Sequence, residues 1–174
     1  VPIVRKNIRL PADNYVGQRA YFLTICCEHR RPLLSDAEIV ACLIAILAQV
    51  ANRLAFAIHA YCFMPDHVHF LCEGLTPESR LLNFAHQFKQ RTEFEYRRRT
   101  GAPLWQFKYH DHILRRAESK DTVAWYIWMN PVRKSLCAEP FDFPLSGSMT
   151  SPWNQKARPA ASWSPPWKAE KIHL

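Results

Sequence analysis

The chain has 174 residues, with 23 Lys and Arg against 15 Asp and Glu, a formal net charge of +8 and an isoelectric point near 9.4. That length gives one domain with an extension and a real core, and the surplus of cations makes a polyanion the default partner, nucleic acid before a membrane surface. No stretch approaches the roughly 20 apolar residues of a membrane span, and no apolar block follows the basic start VPIVRKNIRLP, so a cytoplasmic protein without signal peptide or membrane partner is expected.

Residues 1 to 18 read as an irregular basic arm, with Pro2, Pro11 and Gly17 as breakers and Arg5, Lys6 and Arg9 as its cations. The run RAYFLTICCEHR at 19 to 30 is rich in β-branched and aromatic residues and reads as a strand ending before Pro32. Ser35 or Asp36 caps a helix over about 37 to 53, where Ile39, Leu43, Ile46, Leu47 and Val50 recur at helical spacing. FAIHAYCFM at 56 to 64 predicts a second strand, and Pro65 with Asp66 a sharp turn into a third antiparallel strand over 67 to 73.

A second helix follows Pro77 and runs to about Arg99 on Leu81, Leu82, Phe84, Ala85 and Phe88, with a polar face that includes Lys89 and Arg91. LWQFKYHDHILR, after Gly101 and Pro103, predicts a fourth strand, and a last helix starts at Ser119 or Asp121 and stops near Asn130 and Pro131. The order is that of an α+β, ferredoxin-like βαββαβ sandwich: an antiparallel sheet with helices on one face, then a C-terminal helix and an irregular tail. From residue 138 onward, six prolines and three tryptophans in 37 residues without periodicity predict an extended segment that wraps the domain or stays mobile. Cys26, Cys27, Cys42, Cys62, Cys72 and Cys137 contain no CxxC pair and read as buried free thiols in a reducing compartment.

Chemistry concentrates in YCFMPDHVHFL at 61 to 71. On a strand, the two-residue period sets His67 and His69 on one face and Val68 and Phe70 on the other, so one face can hold a divalent metal while the opposite one is core. An isolated HxH is equally compatible with two polar residues on a half-buried strand. The second element of the pattern is TVAWYIWMNP, where Tyr126 and Asn130 lie four apart on one helix face. Two imidazoles and an amide oxygen leave coordination positions open to polarise a phosphate, and a tyrosine hydroxyl held in line with that phosphate serves as nucleophile. Taken singly, Tyr126 also fits an aromatic core position and Asn130 a helix terminator before proline.

HDH at 110 to 112 is a rival HxH, but its centre, Asp111, would place a carboxylate toward the core; His110 and His112 are therefore expected beside the metal ligands or facing DNA. Tyr109 is an alternative nucleophile without an amide partner at helical spacing. Candidate DNA contacts are Arg5, Lys6, Arg9, Lys89, Arg91, Arg115, Arg116 and Arg133, with Trp105 or Tyr109 to stack unpaired bases.

MPDHVHFL at 64 to 71, YHDHILR at 109 to 115 and WYIWMNPVRKSL at 125 to 136, with YFLTICCEHRRPLL early and FDFPLSGS late, resemble the single-tyrosine HUH transposases, in the branch of REP-associated tyrosine transposases. The resemblance spans about residues 5 to 148 and makes 19 to 137 the catalytic domain, 1 to 18 an arm and 138 to 174 an extension.

It implies that His67 and His69 ligate Mg²⁺ or Mn²⁺, with Asn130 as third ligand. Tyr126 then joins the 5′ phosphate of cleaved single-stranded DNA, at a hairpin with a single-stranded flank, and leaves a free 3′ hydroxyl. The partner is single-stranded or hairpin DNA, and the enzyme a monomer or homodimer. Asp66 stands where Asn is frequent, and Lys134 and Ser135 where Ala and Gly are, which removes a glycine helix cap. Two other classes fit the same residues: a silent hairpin-binding protein, and a phosphodiesterase using water.

Overall fold

The computed structural model describes residues 9–169, so Arg5 and Lys6 of the predicted arm lie outside the described residues. Five antiparallel strands form one sheet in the order β4-β1-β3-β2-β5, with β1 at Ala20–Cys26, β2 at Phe56–Met64, β3 at His67–Gly74, β4 at His110–Ile113 and β5 at Ser146–Gly147. The first four follow the predicted ferredoxin-like order. Helices α1 (Ala37–Arg53) and α2 (Leu81–Thr100) cover one face, and α3 (Lys120–Trp128) lies on the other.

Alternation along the strands explains the two layers. Leu23, Ile25, Val68, Phe70 and Cys72 point to the α1/α2 side, where Leu43, Leu47, Phe84 and Phe88 meet them fully buried. The intervening Phe22 and Leu71 point to α3 with Val123, Ile127 and Trp128. In β2 the pattern reverses at a register shift between Ile58 and Ala60. Phe56 and Ile58 belong to the first layer, whereas Ala60, Cys62 and Met64 lie beneath α3. The extra residue of a bulge flips the faces of everything after it, which turns small side chains toward α3.

Local chemistry sets the helix ends. The Asp36 carboxylate accepts the N–H groups of Glu38 and Ile39 at the start of α1, Ser119 accepts from Asp121 N–H at the start of α3, and Gly101 ends α2 at φ 73°. After α3 the chain turns through Met129 into a short helix α4 (Asn130–Arg133). Pro131 has no N–H to continue the ladder, so the axis breaks there. Although the glycine cap is missing, α4 still ends in the left-handed conformation: Ser135 adopts φ 56°, and Leu136 N–H reaches back to Pro131 O at 2.9 Å.

The first strand ends at Cys26 rather than near Arg30, because Glu28–Arg30 turn into a 3₁₀ helix, and two further elements differ from the predicted ones. The fourth strand is only four residues long, because Leu104 and Trp105 donate their N–H groups to the Glu93 carboxylate on α2 and the Trp105 indole donates to Thr92 Oγ1. Trp105 keeps an isolated bridge to Cys27 and Gln106 N–H bonds Cys26 O, after which residues 107 to 109 leave the sheet before β4. Conversely, Ser146 and Gly147 add a fifth strand beside Cys62 and Tyr61. A Cβ at Gly147 would lie 2.5 Å from the Tyr61 hydroxyl, so a larger residue there would have to displace that ring. Beyond it, Trp153 packs on Trp128 and Phe141, and Trp163 and Trp167 pack on Phe22.

Candidate active site

The β2–β3 turn sets the histidines. Pro65 and Asp66 are its only residues; their carbonyls accept Leu34 N–H and Cys27 N–H, both at 2.9 Å, which tie the turn to the end of β1. His67 and His69 then face α3, while Val68 packs into the opposite core. Both imidazoles are largely buried, 8% and 7% exposed, and their Nε2 atoms lie 3.1 Å apart.

Each outer nitrogen has a fixed partner. His67 Nδ1 lies 2.6 Å from the Asp66 carboxylate, and His69 Nδ1 lies 2.8 Å from Thr24 Oγ1 on β1. A proton held on each Nδ1 leaves two Nε2 lone pairs converging, an arrangement that repels unless a proton or cation lies between them. Burial lowers the pKa of both rings, against the pull of Asp66 on His67 and reinforced at His69 by the charge on His67. They are neutral at pH 7, the form that ligates metal.

Asn130 completes the group. Its amide, 4% exposed, reaches His67 Nε2 at 3.1 Å through Nδ2; the opposite amide rotamer presents Oδ1 there, as a cation requires. The donor set fits a hard divalent ion. Neighbouring ligands of an octahedral ion with bonds of about 2.1 Å lie about 3 Å apart, close to the 3.1 Å between the two Nε2 atoms. Among the described residues, no group of three or more His, Cys, Asp and Glu side chains is placed to hold a metal; the Asn130 amide is a further polar group beside the two imidazoles.

Tyr126, one turn before Asn130, faces the same site. Its ring lies 6.3 Å from that of His69 and edge-on to Phe22. Arg133 brackets it, donating to Tyr126 O at 2.7 Å and laying its guanidinium 4.2 Å over the ring centroid. From the far end of the chain, Lys168 donates to the Tyr126 hydroxyl at 2.6 Å, and Trp163 packs against the same ring at 5.2 Å.

The other predicted residues divide into three groups. His110 and His112 share the face of His67 and His69, since they pair with Thr24 and Phe22 of β1. His110 stacks on Trp167, and His112 bonds Glu118, which also accepts from the Trp163 indole. Although burial acts to raise it, these bonds and that from Arg115 N–H hold the Glu118 carboxyl pKa below its ordinary value.

Arg9 and Lys89 hold the fold together. Arg9 pairs with Asp111 at 2.8 Å and lies over Tyr109, and Lys89 donates to the Gln106 and Phe107 carbonyls. Arg91 bonds Gln49 across the outer helices. Arg115 and Arg116 are exposed just past β4.

Thr24, Asp66 in its bonding role, Glu118, Trp163 and Lys168 are the neighbours that a reading of motifs passes over. For Thr24 the only signal is its register opposite His69, which exists once the strands pair.

A ferredoxin-like sheet carries two converging histidines, faced by a tyrosine from α3 and an amide from the start of α4. The sequence profile described as "Transposase IS200 like" matches residues 15–130, and the chain belongs to that family. No curated protein matches. The fold is that of a REP-associated tyrosine transposase solved bound to a REP hairpin, with 19% identity over 86% of this chain and 96% of the other and a TM-score of 0.63. A putative transposase from Deinococcus radiodurans is similar at 23% identity, covering 70% of this chain and 91% of its own, with a TM-score of 0.50.

Proposed function

We propose that the protein is a metal-dependent single-strand DNA endonuclease and strand transferase in which Tyr126 forms a 5′-phosphotyrosine at hairpin-associated sites. The observation that carries this reading is the convergence of His67, His69 and Asn130 beside Tyr126, from β3 and from α3 and α4 about sixty residues later. The family and the solved relative with its REP hairpin support the choice of substrate.

His67, His69 and Asn130 would hold Mg²⁺ or Mn²⁺, which when bound supplies a Lewis acid for a phosphate oxygen. Asp66 and Thr24 fix the imidazoles so that both Nε2 atoms face that position. Tyr126 Oη gives up its proton as it attacks phosphorus, the bond to the 3′ oxygen breaks, and that oxygen takes up a proton to leave as a hydroxyl, so that one proton passes overall from the tyrosine to the leaving group. The bond energy is kept in the phosphotyrosine, so attack by a 3′ hydroxyl reverses the step and joins strands. Arg133, over the ring, holds the nucleophile and adds positive charge beside the incoming phosphate.

The test is incubation with Mn²⁺ and hairpin oligonucleotides bearing single-stranded flanks, labelled at the 5′ or the 3′ end, followed by a denaturing protein gel. The expected result is label retained only from 3′-labelled strands, lost in Tyr126→Phe and in His67→Ala. Tight binding without an adduct would make the protein a silent hairpin binder. Cleavage that survives Tyr126→Phe would make water the nucleophile.

A further inference from the structure

Phe107 is 93% exposed, more than any other large hydrophobic side chain among the described residues. Its loop is braced. Lys89 donates to the Gln106 and Phe107 carbonyls at 2.6 and 2.7 Å, and Gln106 N–H donates to Cys26 O at 3.0 Å. The aromatics on either side are both committed: Trp105 is buried with its indole on Thr92, and Tyr109 lies under the Arg9 guanidinium. The two residues that the sequence offers as base-stacking candidates are therefore engaged within the fold, and the ring between them is held out to solvent.

The position matters as much as the exposure. Gln106 bonds Cys26, and Cys26 lies opposite His67 in the sheet. Two inter-strand spacings of about 4.8 Å put the loop backbone roughly 10 Å from the metal-site histidine. Glu28 N–H is tied to Leu104 O at 2.8 Å, which draws the loop after β1 to the same place.

That loop exposes His29, Arg30 and Arg31, and its backbone is strained, with φ 53° at His29 and 57° at Arg30. Such backbone costs energy and is held here by Arg30 N–H on Cys27 O at 3.0 Å and Arg31 N–H on Glu28 O at 3.2 Å. His29 touches Glu28, and Arg30 lies 3.6 Å from Asp66; Arg31 follows in the same loop and Lys108 directly follows Phe107, both exposed. An exposed ring among cations is the combination that binds single strands, the ring stacking a base and the cations neutralising the backbone.

Resting on the strand-transferase reading, we infer that Phe107 is a stacking platform for an unpaired base of the DNA flank next to the cleaved phosphate, with Arg31 and Lys108 contacting that flank's backbone. The proposal concerns positioning of substrate. Phe107 does not touch the reacting atoms.

The experiment uses the full chain with two probes: a blunt hairpin, and the same hairpin with a single-stranded flank carrying 2-aminopurine at each position in turn. The wild type is expected to quench 2-aminopurine at one flank position. Phe107→Ala should abolish that quench and weaken binding of the flanked hairpin on the order of tenfold, with blunt-hairpin affinity and salt dependence unchanged. Phe107→Trp should restore both.

Wild-type affinity and quench in Phe107→Ala, with adduct formation intact in the wild type, would overturn the stacking role and leave the strand-transferase reading standing. Loss of self-association in Phe107→Ala with unchanged DNA binding would assign the ring to a second copy of the chain and also overturn it. A wild type that neither binds the flanked probe nor forms an adduct would remove both proposals.

Discussion

At the scale of the residue, the site depends on side chains that aim others. Asp66 and Thr24 hold the imidazoles from behind, and partners of that kind typically change metal affinity 10–100-fold. Asp66→Ala and Thr24→Val are each expected to weaken Mn²⁺ binding by about that factor, read by titration calorimetry or by free Mn²⁺ in electron paramagnetic resonance, without loss of fold.

The same burial carries a pH dependence. Both histidines have folded pKa values below the ordinary 6.5, so under falling pH the unfolded chain takes up protons first. Stability from this source is complete above about 6.5 and is lost below it at about 1.4 kcal/mol per pH unit for each ring, until the folded pKa is reached. The melting temperature of metal-free protein should therefore fall between pH 7 and pH 5, and fall less steeply in His69→Gln. An equal slope in that variant would mean that other groups carry the dependence.

At the scale of the element, the C-terminal segment both supports and covers the site. Trp153 packs on Trp128 at a ring separation of 5.0 Å, away from the tyrosine, whereas Trp163 and Lys168 lie against Tyr126 itself. A phosphate approaching Tyr126 Oη competes with Lys168 for that oxygen. Lys168→Met combined with Trp163→Ala should speed adduct formation in the labelled-strand assay. Trp153→Ala should leave the rate alone and lower stability by about 1–3 kcal/mol, less than the full cost of truncating a buried tryptophan because the site is half-buried. A slower adduct in the double variant would make the segment part of the DNA-binding surface.

At the scale of the whole molecule, the +8 charge governs association. Single-stranded DNA affinity should fall with salt, with a slope in log–log form of about −0.7 for each phosphate neutralised. Arg115 and Arg116 stand exposed beyond β4, so removing both should reduce the slope by about 1.4 if each meets a phosphate. Arg9→Ala is expected to act differently: its guanidinium is spent on Asp111 and Tyr109, so the change should appear first in stability. Among the described residues no helix is long and apolar enough to cross a membrane.

Much of this was legible beforehand. Period-two and helical patterns, Asp36 and Ser119 as caps and the Pro65–Asp66 turn gave four strands and three helices in their observed order, because those signals act within a few residues. The pair His67 and His69 and the spacing of Tyr126 and Asn130 are local for the same reason.

Other features arise only when distant segments meet. The short β4 follows from Glu93 and Thr92 capturing the backbone and indole of residues 104 and 105, a competition between helix and sheet edge that no strand propensity encodes. The bulge in β2 inverts its faces, β5 needs Tyr61 opposite Gly147, Thr24 gains its role from register, and Lys168 reaches Tyr126 from 42 residues away. The sequence by itself therefore determined the main strands and helices, their order, and the histidines, tyrosine and amide of the site. The tertiary structure decided which of those groups converge, which cations stay exposed and what lies over the tyrosine, since a contact between remote segments has an energy only after the chain has folded.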